Sequence, residues 1–167
     1  MALNCAMTRN DSTLDKFDKH ILALLQKDAS LSNLELAERV GLSPSPCLRR
    51  VQKLEAMGVI TARRALLSAK ALGLGLTVMI QISMDKHTPE RFEQFERMVA
   101  SYDEVQQCYL ITGQSADYLL KVVVPDMDRY QDFLLNKLTR IEGVSGVHSS
   151  FVMRRVVDTT ALPLHYL

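Results

Sequence analysis

Arg49, Arg50 and Lys53 stand about one helical turn apart in the run "GLSPSPCLRRVQKLEAMGVI" at 41–60, with Ser43, Pro44, Ser45 and Gln52 beside them. Lys and Arg neutralise phosphates, and Arg, Gln and Ser are side chains that read base edges in the major groove of a duplex. From 47 to 64 the cations Arg49, Arg50, Lys53, Arg63 and Arg64 face one anion, Glu55. A solvated basic face on a structural helical hairpin is the competing explanation. Arg50 adjoins the apolar side of the run, so it either holds a phosphate or braces the helix pair.

A second group with binding chemistry is "ITGQSADYLL". Gly113 permits a tight turn and close approach of backbone to a small molecule. Thr112, Gln114 and Ser115 supply hydrogen-bonding groups, and Asp117 can accept from an ammonium, so the loop offers what an amino acid needs. An ordinary hairpin turn explains the same residues, since Gly and Asp are common there.

The elements that position the first group are helical. "TLDKFDKHILALLQKDA" puts Phe17, Ile21, Leu24 and Leu25 on one face, with Asp15 and Asp18 near the positive N-terminal end. "SLSNLELAERVG" follows, with Ser32 and Glu35 at capping-box spacing and Gly41 suited to a left-handed stop. Pro44 and Pro46 fall in the first turn of the third helix, where the backbone N–H groups have no intrahelical partner to lose. Ser43 is the candidate cap; Ser45 would relieve the restriction that a following proline imposes. Val51 and Leu54, with Cys47 or Leu48, form the buried face. Three helices over 13–57 with a tight glycine turn make a helix-turn-helix. "VITARRALL" then reads as a strand leaving that unit.

The second half alternates. Leu76, Val78, Ile80, Ile82 and Met84 share one side of a strand. A helix with Thr88 as cap and Pro89 at its first position buries Phe92, Phe95, Met98 and Val99. "VQQCYLIT" and "YLLKVVV" are strands, "PDMDRYQDFLLNKLTRI" is a helix burying Tyr130, Phe133, Leu134 and Leu138, and "VHSSFVMRRV" is the last strand. The strand–helix–strand–strand–helix–strand order is ferredoxin-like, giving an α+β chain. Two helices cover one sheet face only, so the other is expected to pack on a second copy of the chain. The expected divisions are a mobile arm over 1–12, the DNA-binding domain over 13–60, a strand or linker over 61–75, and an effector-binding and oligomerisation domain over 76–167.

Other chemistry is thin. His20, His87, His148 and His165 are scattered outside nucleophile or metal-ligand motifs, and "GLGLT" lacks a P-loop lysine, so no catalytic residue, metal site or cofactor is assigned. Three unpaired cysteines, Cys5, Cys47 and Cys108, fit reduced thiols in a cytoplasm. "LGLGLTVMI" is too short to cross a bilayer, and no secretory leader is evident, so a cytoplasmic protein without a membrane partner is expected. Net charge is +1, but 1–64 holds ten Lys/Arg against seven Asp/Glu, while 65–167 holds ten against twelve. A basic front and an acidic back point to different partners.

Taken together, "LDKFDKHILALLQKDA", "SNLELAERVGLSPSPCLRRVQKLEAMGVI", "DYLLKVVVPDM" and "SSFVMRRV" resemble the Lrp/AsnC (leucine-responsive, feast/famine) bacterial transcription regulators. The resemblance implies an N-terminal DNA-binding domain, a winged helix-turn-helix; the two-fold symmetry of a dimer would match palindromic double-stranded operators. It also implies a C-terminal domain that forms dimers and commonly octamers, and binds an amino-acid effector at their interfaces, near Thr112–Tyr118. By the same resemblance Leu110, Gly113 and Asp117 line or shape that pocket, with Ser150 and Phe151 nearby. Leucine or methionine is the first effector to test and cysteine the next. The family's loop often reads glycine, two residues, then Asp-Tyr; here Gln114, Ser115 and Ala116 make three. A regulatory module that binds amino acids and acts on an enzyme partner is the alternative, and the basic third helix argues against it.

Overall fold

A computed structural model of the chain describes residues 14–113 and 116–167, so the expected arm over 1–12 lies outside the described residues. The chain forms two units, one holding 14–66 and Asp158–Leu167, the other Leu67–Val157.

The first unit contains α1 (Lys16–Lys27), α2 (Asn33–Val40) and α3 (Pro44–Ala56). α1 starts at Asp15, whose carboxylate accepts the N–H groups of Phe17 and Asp18, while the Asp18 carboxylate accepts the N–H of Asp15. α2 repeats the device with Ser32 and Glu35, as their spacing predicts. Its end is Gly41, at φ 75°, where any side chain would be strained, and the Leu42 N–H closes back on Ala37 O at 2.9 Å. α3 follows with Ser43 as cap, in extended geometry and without a side-chain cap bond, and Pro44 at its first position. The option of a cap at Ser45 is not taken. Ile21, Leu36, Ala37, Cys47, Val51 and Leu54 close the core at 5% exposure or less. Cys47, rather than Leu48, completes the buried face of α3, since Leu48 is 44% exposed.

The second unit is a four-stranded antiparallel sheet in the order β2-β3-β1-β4, built from β1 (Leu76–Met84), β2 (Val105–Leu110), β3 (Tyr118–Val124) and β4 (Val144–Phe151). α4 (Pro89–Ala100) and α5 (Met127–Asn136) bring Phe95, Val99, Tyr130 and Phe133 into one core with Val78, Ile80, Ile82, Tyr118, Leu120 and Val122 of the sheet. Burying each such side chain contributes roughly 1.5–3 kcal/mol before the entropy of ordering it. This is the α+β ferredoxin-like arrangement.

Three details differ from the sequence reading. The strand expected over 59–67 does not form; 59–66 belong to the helical unit, which among the described residues holds no strand for it to pair with. Met98 is 43% exposed on α4, where Phe95 and Val99 already fill the face toward the sheet. The last ten residues, Asp158–Leu167, pack with the helical unit rather than extending the sheet domain over 76–167. Leu164 enters the helical core; Leu162 gives its N–H to Gln26 Oε1 at 2.6 Å and accepts from Gln26 Nε2 at 3.3 Å. Lys19 Nζ donates to Leu167 O at 2.5 Å.

Candidate functional site

On α3 the buried residues Cys47, Val51 and Leu54 repeat at helical spacing and turn the opposite stripe to solvent. That stripe carries Ser45, Arg49, Gln52 and Lys53, all exposed, and among the described residues none has a side-chain hydrogen bond or ion pair. Ser43 and Pro44 are exposed at its start, where Asn33 Nδ2 donates to Pro44 O at 2.9 Å and ties α2 to the first turn of α3. The turn residues and the basic stripe therefore form one continuous outward surface.

Arg50 stands apart from it. Its Nη1 lies 2.7 Å from Asp15 Oδ2 and 2.8 Å from Asp18 Oδ1, and its guanidinium sits over the Phe17 ring at 5.4 Å. Asp18 is 5% exposed, so the guanidinium supplies the buried carboxylate with a charged hydrogen-bond partner. Of the two readings open for Arg50, the contacts match the brace between α3 and the start of α1. Arg63, further on, pairs with Glu55 at 3.1 Å.

The loop between β2 and β3 holds the second group. Thr112 and Gly113 are exposed, Ala116 is buried, and Gln114 and Ser115 lie outside the described residues. A Cβ added at Gly113 would meet nothing within 4 Å. Asp117 is held firmly: its N–H donates to Ile82 O and its carbonyl accepts from Ile111 N, both at 2.8 Å. Its carboxylate accepts the N–H of Met84 at 2.7 Å and lies 2.7 Å from His87 Nε2. His87 is one of the four histidines to which the sequence assigns no role, since nothing in its spacing ties it to position 117.

Leu110 points to the helix side of the sheet, into a cleft of about 390 Å³ between α4 and β2 that Glu96, Cys108 and Tyr118 also line. Tyr118 donates its hydroxyl to Glu96 Oε1 at 2.9 Å, and burial, then the carboxylate, pushes its ionisation well up. Cys108 is exposed on one side, but desolvation against the cleft wall, then the Glu96 charge, pushes its thiol up to about 11.

Ser150 and Phe151 are elsewhere. Phe151 pairs with Val78 and lies edge-on to Tyr130 at 5.5 Å, on the helix side, whereas Ser150 pairs with Met79 and points to the open face. The loop joins β3 where Tyr118 pairs with Ile82. Four residues of β1 separate the two places, roughly 13 Å along the strand. One chain does not bring these residues into a single pocket.

Residues 14–61 match the winged helix-turn-helix DNA-binding family and 77–162 the Lrp/AsnC ligand binding domain. The chain is 43% identical over 154 residues to the leucine-responsive regulatory protein of Escherichia coli, covering 92% of this chain and 93% of that one. Among solved structures, a transcriptional regulator–L-Met complex from Neisseria meningitidis superposes with a TM-score of 0.89 at 44% identity, covering 93% of this chain and 100% of the other. An AsnC family transcriptional regulator from Agrobacterium tumefaciens gives 0.86 at 40% identity, over 92% and 99% of the two chains. A basic helix-turn-helix joined to a ferredoxin-like sheet, matched along nearly its whole length, makes this chain a member of the Lrp/AsnC family of DNA-binding transcriptional regulators.

Proposed function

We propose that α3 lies in the major groove of a palindromic operator, with Arg49, Gln52 and Lys53 on base edges and phosphates and Ser43, Pro44 and Ser45 fixing the approach of its first turn. The observation that carries this is the exposed, unpartnered stripe Ser45–Arg49–Gln52–Lys53 opposite a closed core. Arg50 serves indirectly, by holding α1 against α3. The regulator works in the bacterial cytoplasm on genes of amino-acid metabolism, as a dimer or an octamer built from dimers. The partly apolar sheet face carrying Met79, Tyr109 and Leu119 is where a second copy packs.

The second unit binds a small amino acid at the loop of Leu110, Thr112, Gly113, Ala116 and Asp117. Because Ser150 and Phe151 lie at the far end of the sheet, they join that site only from another copy of the chain, so assembly and effector binding are thermodynamically linked. Methionine and leucine are the first effectors to test, since similar proteins carry them in their names, and cysteine is the next. A module acting on an enzyme partner would leave the α3 stripe without a purpose.

The test is a fluorescence titration of duplex DNA at several salt concentrations. Arg49→Ala with Lys53→Ala is expected to weaken binding and lower the salt slope by about two units per α3 engaged, with no change in assembly mass. Parental affinity and slope in the double variant would refute the assignment.

A further inference from the structure

We propose that the cleft between α4 and β2 binds an aliphatic primary amine that carries no carboxylate, at a site separate from the effector loop. The cleft holds about 390 Å³, a size suited to a small molecule, and shares only Leu110 with the effector-loop residues named above. Its charge is of one sign. Among the described residues that line it, Glu96 is the one carboxylate, none is Lys, Arg or His, and the other polar side chains are neutral.

Tyr118 fixes that carboxylate in place. Its ring is buried 4.6 Å from Phe95 and edge-on to Phe92 at 5.6 Å, and its hydroxyl donates to Glu96 Oε1 at 2.9 Å. Among the described residues Glu96 forms no ion pair, and its Oε2 accepts no hydrogen bond. The C-terminal end of α4 borders the same space through Val99, and the carbonyl end of a helix carries partial negative charge. Arg97, the cation of that last turn, is not in the wall. The field is felt by its neighbours: after burial, the Glu96 charge helps push the ionisations of Tyr118 and Cys108 up. A carboxylate entering the cleft would meet this field with no cation to offset it, whereas an ammonium finds Oε2 free to accept. Val99, Val105 and Leu110 supply an apolar wall for a short hydrocarbon chain. An amino acid brings both charges; the amine left when its carboxyl group is removed brings the one charge this wall can hold.

Isopentylamine, isocaproate and L-leucine share one branched hydrocarbon chain and differ in charge, so they serve as probes. Each is titrated calorimetrically into the full chain and into Glu96→Gln, Glu96→Lys and Cys108→Phe, with thermal melts to show that the variants are folded. The parent is expected to bind isopentylamine about tenfold or more tighter than isocaproate, as one hydrogen bond to a charged group allows. Glu96→Gln keeps an acceptor for the Tyr118 hydroxyl and should lose about tenfold in amine affinity, while Glu96→Lys should lose amine binding altogether. Cys108→Phe, which fills the cleft from β2, should abolish it too. Saturating L-leucine should leave the amine affinity unchanged. The proposal is overturned if the parent shows no amine binding, or if Glu96→Gln or Cys108→Phe binds the amine as tightly as the parent. It is also overturned if leucine displaces the amine, which would place that ligand in the effector loop instead.

Discussion

Arg50 shows how one side chain's contacts decide its role. Its guanidinium spans Asp15 and the buried Asp18, so replacing it with Ala leaves a buried carboxylate without its cation. Arg50→Ala is expected to lower stability by about 1–2 kcal/mol, with duplex affinity of the folded protein nearly unchanged, by urea unfolding and DNA titration. Acid sensitivity should change too. The Asp18 N–H, and to a lesser degree Arg50, hold the Asp15 carboxyl below its ordinary value. Its folded value is therefore lower than its unfolded one, so this contribution is present above the usual carboxylate range and lost as pH falls through the folded value. Arg50→Ala should move the acid-unfolding midpoint to higher pH. Cys108 makes a second case at this scale: with its thiol pushed up to about 11 from 9.0, it holds up to roughly a hundredfold less thiolate at pH 8 than an ordinary cysteine. Alkylation followed by mass spectrometry should be correspondingly slow, and should accelerate above pH 9.

At the scale of elements, the prolines of α3 and the closing segment belong to the same helical unit as α1. Pro44 and Pro46 sit within the first turn, where the missing N–H groups break no helical bond, so they stiffen the start of the helix that carries the basic stripe. Asp158–Leu167 belongs to the same unit through Leu164 in its core and the two-way bond between Gln26 and Leu162. Leu164→Ala should cost about 1–2 kcal/mol, less than a fully buried leucine because the residue is only partly buried. Hydrogen exchange is the suitable readout: protection should fall in α1 while β1 and β3 keep theirs.

For the whole molecule, the sheet's uncovered face matters most. The residues of β1, β2 and β3 that point away from α4 and α5 include Met79, Leu119 and Tyr109, with Tyr109 49% exposed. Charges placed there should leave the folded unit intact and break self-association. Tyr109→Glu with Leu119→Glu is expected to reduce the particle toward the 18.8 kDa of one chain by sedimentation, and to weaken operator binding because two linked α3 helices bind far better than one.

Periodicity and caps are local properties, and they sufficed for the helix-turn-helix, the βαββαβ order and the identity of most core residues. The capping box of Ser32 and Glu35, the stop at Gly41 and the alternation of β1 are each set by residues a few positions apart, which is why they were legible. Contacts between residues distant along the chain had no such signal. Arg50 with Asp18, His87 with Asp117, Leu162 with Gln26, and the separation of Phe151 from Asp117 all depend on helix packing and strand register. Side-chain types named the available chemistry; only the fold determined which groups meet, because a lone pair or a charge acts within a few ångströms whatever the sequence distance.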